Sequence, residues 1–153
     1  MTTPKHGWNK LRPYTQGDLS RVWEDMREDD LREVGEYEPT WMEKTLLSMK
    51  AKMKTWDTDQ GPVAVMGSTP TDNPMVGLVW CLASNAAVPR WRFHVREIEG
   101  LLQWCAEDYS VLANFKDARN TTQIKWLKKI GFTFIQHHDL NGQDHIEFLR
   151  IMK

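Results

Sequence analysis

Two histidines and a glutamate fall where a metal ion would need them. His138, His145 and Glu147 flank the stretch Leu140-Asn141-Gly142-Gln143. Asn-Gly between two strand-like segments is the preferred two-residue type I′ turn. That turn sets His138 opposite His145, and Gln136 opposite Glu147 on the same side. Directly opposed side chains lie within reach of a shared ligand, and two imidazoles with a carboxylate make a zinc-like donor set. The competing expectation, a polar strand-end cluster without metal, is the far commoner arrangement, so no metal is expected here. A second candidate is the arginine group Arg90, Arg92 and Arg96, whose guanidinium groups can hold an anion through their side chains; the alternative is a set of surface arginines at a strand end. A third is Lys125, Lys128 and Lys129, spaced to share a helix face. Such a face can meet a phosphate, or it is a solvated surface with cations well placed near a helix C-terminus.

The stretch that must position these groups is Asn120 to Phe134, NTTQIKWLKKIGFTF. Ile124, Leu127 and Ile130 recur at helical spacing. Asn120 is a favoured N-cap, and Gly131 ends the helix because glycine takes a left-handed C′ conformation at little cost. Phe132, Phe134 and Gln136 then alternate with Thr133, Ile135 and His137, which is a strand.

Earlier in the chain, Trp8 to Tyr14 reads as a strand. Thr15 to Asp18 has capping-box spacing, and Leu19, Val22, Trp23 and Met26 share one helical face. Arg27 to Glu38 is highly charged and is interrupted by Gly35 and Pro39. Thr40 to Glu43 is a second capping box, with Met42, Leu46, Met49 and Met53 continuing a second helix. Gly61 to Gly67 is a short apolar strand, Ser68 to Pro74 a turn, and Met75 to Ala83 a strand buried on both faces. Gly77 inside it marks a bulge or a close approach. Val88 to Val95 is a fourth strand. Ile98, Leu101, Leu102, Cys105 and Tyr109 give a third helix, and Val111 to Phe115 a fifth strand. The order is β-α-α-β-β-β-α-β-α-β-β, one domain over residues 1–153, with helices covering both sides of the sheet.

A net charge of −1 gives no general attraction to nucleic acid or membrane. No apolar run long enough to span a bilayer exists, and MTTPKHGWNK lacks the apolar core of a signal peptide. Cys81 and Cys105 share no motif spacing and read as buried free thiols of a reducing compartment. Eight tryptophans and eight methionines are either a core of bulky side chains or an aromatic contact surface.

Asparagine, helix, glycine and aromatic strand together resemble the ending of GNAT-fold acetyltransferases, whose motif runs Asn-x-x-Ala-x-x-x-Tyr-x-x-x-Gly-Phe. Asn120, Gly131 and Phe132 match it; Gln123 stands at the alanine and Leu127 at the tyrosine. The element order also looks like that topology over nearly the whole chain. The resemblance implies an α/β (α+β) fold: a mixed, mostly antiparallel sheet flanked by four helices. It is nearest in pattern to the small GNAT-like proteins of short-tailed bacteriophages, some of them internal virion proteins. That likeness implies protein partners such as virion components, and a place in the host cytoplasm or virion interior.

The resemblance also assigns roles. Asn120 would contact the pantetheine arm of acetyl-CoA. The family's general acid is the tyrosine replaced here by Leu127, leaving Tyr109 and Tyr37 as phenols away from that position. The family's phosphate loop, Gln/Arg-x-x-Gly-x-Gly/Ala, would start at Arg92 and puts Val95 and Glu97 at the glycine positions. Glycines there let backbone N–H groups at a helix N-terminus reach a pyrophosphate. With them missing, Arg92 and Arg96 are the remaining grip on the cofactor. Between Asp18 and Glu38, nine acids against three arginines would attract a basic amine acceptor, or equally form a solvated helix face or a docking surface for a basic partner. Two functions follow: a catalytically degenerate interaction protein with no cofactor, or an N-acetyltransferase using acetyl-CoA. The lost glycines and tyrosine favour the first, with weak acetyl-CoA binding or none.

Overall fold

Apolar β-branched runs separated by amphipathic stretches fold into one seven-stranded sheet with helices against it. The structure is a computed structural model and describes residues 10–35, 37–87 and 94–153. In chain order the elements are β1 (Lys10–Pro13), α1 (Asp18–Trp23), α2 (Glu28–Val34), α3 (Pro39–Ser48), β2 (Lys52–Thr58), β3 (Gly61–Pro70), β4 (Val76–Ala83), α4 (Val95–Cys105), β5 (Val111–Asp117), α5 (Thr121–Lys129), β6 (Thr133–Leu140) and β7 (Gln143–Ile151). The strand order is β1-β2-β3-β4-β5-β7-β6. Every pairing is antiparallel except β4 with β5.

Two corrections to the sequence reading concern the N-terminal half. The charged stretch after Met26 forms a helix of its own, so the described residues hold five helices rather than four. Its first turn carries Glu28, Asp29 and Asp30, where carboxylates oppose the positive end of the helix dipole. The next helix stops at Ser48 instead of running to Met53. Lys50 adopts φ 56°, a left-handed stop with no glycine to announce it. Met53 then lies in β2, a strand the helical methionine spacing hid, where it pairs with Gly67. The expected strand Val88 to Val95 falls largely outside the described residues, and Val95 itself opens α4.

The first capping box forms by half: Asp18 Oδ2 accepts from Thr15 N at 2.8 Å, while Gly17 is the N-cap residue. The second does not form, with Glu38 the N-cap and Pro39 in the first turn of α3. Asp18 also accepts from Arg12 and Thr55, and Glu43 accepts from Tyr14 Oη and Gly17 N. These bonds tie β1, α1 and α3 together.

One sheet face packs α4 and α5 over Met66, Leu112, Phe132 and Phe148; the other packs α1 and α3 over Met53 and Val65. The second face stays open toward β5, β7 and β6, where Phe115, Leu140 and Ile151 are exposed. Helices therefore do not cover both sides throughout.

The hairpin turn is as expected, with Asn141 at φ 54° and Gly142 at φ 80°. His138 pairs with His145 and Gln136 with Glu147. Further from the turn a bulge between Phe134 and Gln136 shifts the register. Phe134 then pairs with Phe148, where an unbroken ladder from the turn would set it opposite Leu149, and Ile135 is left exposed. Gly77 makes no bulge. Its lack of a side chain admits the Tyr109 ring, 2.4 Å from where a Cβ would stand.

Gly131 sits at φ 99° after α5, with Phe132 N donating to Leu127 O. Gly131→Val is expected to lower the unfolding free energy by about 1–2 kcal/mol, since a branched residue is strained in that region. Urea denaturation measures it, and an unchanged midpoint would refute the left-handed stop.

Candidate functional site

The sheet opens at its one parallel seam. β4 and β5 pair only from Val76–Leu78 to Val111–Ala113. Beyond that point the strands part, and Asn114 Nδ2 reaches across to Val79 O at 2.7 Å. The gap is a cavity of about 430 Å³ reaching both sheet faces, within the usual range of small-molecule sites. On one side Ile98 and Leu101 of α4 and Gln123, Trp126 and Leu127 of α5 line it. On the other its mouth carries Glu33, Tyr37, Phe115, Lys116, Leu140 and His145.

The start of α2 bars the open end of this seam. Arg27 N donates to Ala83 O at 3.2 Å, and Ala83 N donates to Asp30 Oδ2 at 3.1 Å. On the opposite strand, Glu33 pairs with Lys116 Nζ at 3.0 Å and accepts from Asp117 N at 3.2 Å. The charged stretch thus bridges β4 to β5. The backbone groups of alternate strand residues point the same way, so Val79, Cys81 and Ala83 share the open edge of β4, and Asn114, Arg27 and Asp30 engage two of the three.

Asp30 is 1% exposed. Burial pushes its carboxyl up to about 6, against the pull of Lys116, Arg27 and the Ala83 N–H. A carboxyl raised above its unfolded value of about 3.9 gives its full stability below that value and loses it as pH climbs through about 6. Asp30→Asn is therefore expected to remove a fall in stability between about pH 4 and 6. Urea unfolding at stepped pH checks this; an identical slope in wild type and variant would contradict it. Asp117 works in the opposite sense: its bond from Arg119 holds it down to about 2.

Asn120 is 1% exposed and caps α5, its Oδ1 accepting from Gln123 N at 3.3 Å and from Arg27 at 3.5 Å. Asn120 Nδ2 and Gln123 Nε2 are buried without a partner among the described residues. Arg96 is exposed in the first turn of α4, which no side chain caps; Arg90 and Arg92 lie outside the described residues. Tyr37 stands at the mouth, 55% exposed and stacked on Trp41 at 4.6 Å. Tyr109 is at the closed end of the seam against Gly77, away from the cavity. Cys81 lines the cavity, but burial pushes its thiol up to about 12, so it is inert as a nucleophile.

In the hairpin, His138 Nε2 lies 2.8 Å from Glu147 Oε1, while His145 Nδ1 turns to Gln143 O at 2.9 Å. Among the described residues no three His, Cys, Asp or Glu side chains gather for a metal ion. No described helix is long and apolar enough to cross a membrane.

Sequence reasoning missed Arg27, Asp30, Glu33, Lys116 and Gln123. Only Gln123 carried a local signal, as a departure from the motif's alanine.

No protein-family model matches the chain, and no curated protein does. Solved structures do. Ard1 from Thermoplasma volcanium superposes with a TM-score of 0.75 at 12% identity, covering 94% of this chain and 97% of that one. A ribosomal-protein-alanine N-acetyltransferase from Brucella melitensis gives 0.73 at 14%, covering 94% and 99%. AAC(6')-Ib, solved with paromomycin and acetyl-CoA, gives 0.69 at 15%, covering 93% and 92%. At such identities the likeness is one of fold, and the fold is that of the GNAT acetyltransferases. Nothing in these matches links the chain to phage virion proteins.

Proposed function

We propose that this GNAT-fold chain is an N-acyltransferase that moves an acyl group from a CoA thioester to a primary amine. The observation that carries the reading is the cavity at the β4–β5 seam, lined by side chains from both faces of the sheet. Such a seam lets a thioester and an amine meet from opposite sides. Apolar walls and a buried amide donor suit the pantetheine arm of acetyl-CoA, which the AAC(6')-Ib structure contains.

The amine enters by the mouth that Glu33, Tyr37, Lys116 and His145 surround, drawn by the acids of α2. Its nitrogen forms a bond to the thioester carbon as the carbon–sulfur bond breaks. The amine proton passes to Glu33 or His145, the proton acceptors at that mouth. The thiolate leaves without a phenol on α5, because Leu127 occupies the position. Such a general acid contributes about 10²–10⁴-fold, so turnover is slow. Val95 and Glu97 leave the nucleotide end weakly held, by Arg96 and the uncapped start of α4.

The second reading is a catalytically degenerate interaction protein, virion-associated and bound to a basic partner. The contacts of Arg27, Asp30 and Asn114 on the edge of β4 favour it, as does Leu127. Incubating the protein with acetyl-CoA and a polyamine, an aminoglycoside or a peptide N-terminus separates the two. Amine-dependent release of free thiol is expected. No release above hydrolysis with any of these amines would hand the case to the second reading.

A further inference from the structure

The polar group that α5 turns into the cavity is Gln123, and its donor is unspent. The side chain is 3% exposed and lines the cavity, and Nε2 has no partner among the described residues. A buried donor left unpaired is destabilising, and a hydrogen-bond acceptor in the cavity would relieve that. The α4 and α5 wall of the cavity that Gln123 belongs to carries Ile98, Leu101, Trp126 and Leu127, which offer no charge, and the cation in the cavity lining, Lys116, is paired with Glu33. The nearest cation in the bonded network, Arg27, is already matched by Asp29 and Asp30. The group that suits this position is therefore a neutral carbonyl oxygen rather than a carboxylate or phosphate.

Gln123 lies one turn before Leu127, so the two share a helix face. The motif's alanine at the first position offers no donor, and its tyrosine at the second does. Here the only polar side chain of the pair is the glutamine. We propose that Gln123 Nε2 donates to the acyl carbonyl oxygen of the thioester in the seam, and so reads the acyl group itself. This rests on the acyltransferase reading above. The amide has no proton to give up at working pH, so it holds the oxygen and does not replace the missing acid.

The test uses two ligands on the intact protein. Acetyl-CoA carries the oxygen; S-ethyl-CoA, a thioether, lacks it and keeps the rest of the arm. Calorimetry on wild type should show acetyl-CoA bound about tenfold more tightly, the equivalent of about 1.4 kcal/mol. Gln123→Met, similar in length but without a donor, should erase that preference and leave S-ethyl-CoA affinity within about twofold. Gln123→Ala, the smaller residue of the motif, should erase it too, so one variant remains if the other fails to fold. Equal losses for both ligands would place the contact on the arm's own amides and overturn the assignment. Unchanged preference in a folded variant would make Gln123 structural and also overturn it. Wild type binding neither ligand would instead sink the acyltransferase reading on which the assignment rests.

Discussion

Gly67→Ala is expected to cost about 3 kcal/mol or more, at the upper end for overpacked sites. A Cβ on Gly67 would stand 1.9 Å from the Lys52 carbonyl oxygen and 3.1 Å from Trp80 Cζ2. Backbone cannot swing aside as a side chain can, so β2 and β3 would have to separate where Met53 pairs with Gly67. For a chain of this size the loss corresponds to roughly 6–12 °C in Tm. Two glycines serve as controls. Gly77→Ala meets the ring of Tyr109 first and should cost less, because the ring can move. Gly100→Ala meets nothing within 4 Å and, inside α4, should stabilise by up to about 1 kcal/mol. Thermal melting of the three variants checks the order. Gly67→Ala melting with wild type would show that β2 and β3 are not packed as described.

Asp30→Leu is expected to cost about 3–5 kcal/mol. The carboxylate is held above its ordinary pKa, so burial outweighs its pairing. Removing it still does not help, for two reasons. Arg27, itself 7% exposed, cannot lose its proton and would lose its 3.3 Å partner, with the contacts to Asp29 and Asn120 longer at 3.5 Å. The Ala83 N–H would also lose its acceptor. Asp30→Asn keeps an acceptor oxygen and should cost far less. Guanidinium unfolding distinguishes them, and equal costs for the two variants would deny Asp30 its bridging role between α2 and β4.

The parts of this fold legible in the sequence are those fixed by local physics. Gly131, the Asn141-Gly142 turn and the apolar run of β4 each declared themselves, because a φ constraint or a doubly buried strand leaves a mark on a few adjacent residues. β2 did not, since Met42, Leu46, Met49 and Met53 keep helical spacing across a left-handed Lys50 that nothing in composition announces. The bulge at Ile135 was equally silent, being set by how Phe134 and Phe148 pack. Of the candidate site, Asn120 and Tyr37 were visible and do stand near the seam. The bridge from Arg27, Asp30 and Glu33 to Ala83 and Lys116 was not, because it joins segments roughly fifty to ninety residues apart and rests on tertiary contact alone. In the sequence Arg27, Asp30 and Glu33 read only as part of a charged cluster that would attract a basic amine, dock a basic partner or form a solvated helix face.

The central claim, that the β4–β5 seam takes an acyl thioester, is tested most directly by titrating isotopically labelled protein with acetyl-CoA and following backbone amide shifts. Binding at about 100 μM is expected, weak because the phosphate loop lacks its glycines. Saturable shifts should centre on Val79 to Ala83, Asn114 to Asp117 and the first two turns of α5, leaving β1 and β2 unmoved. No shift at millimolar acetyl-CoA, or shifts confined to the β6–β7 hairpin, would contradict the account.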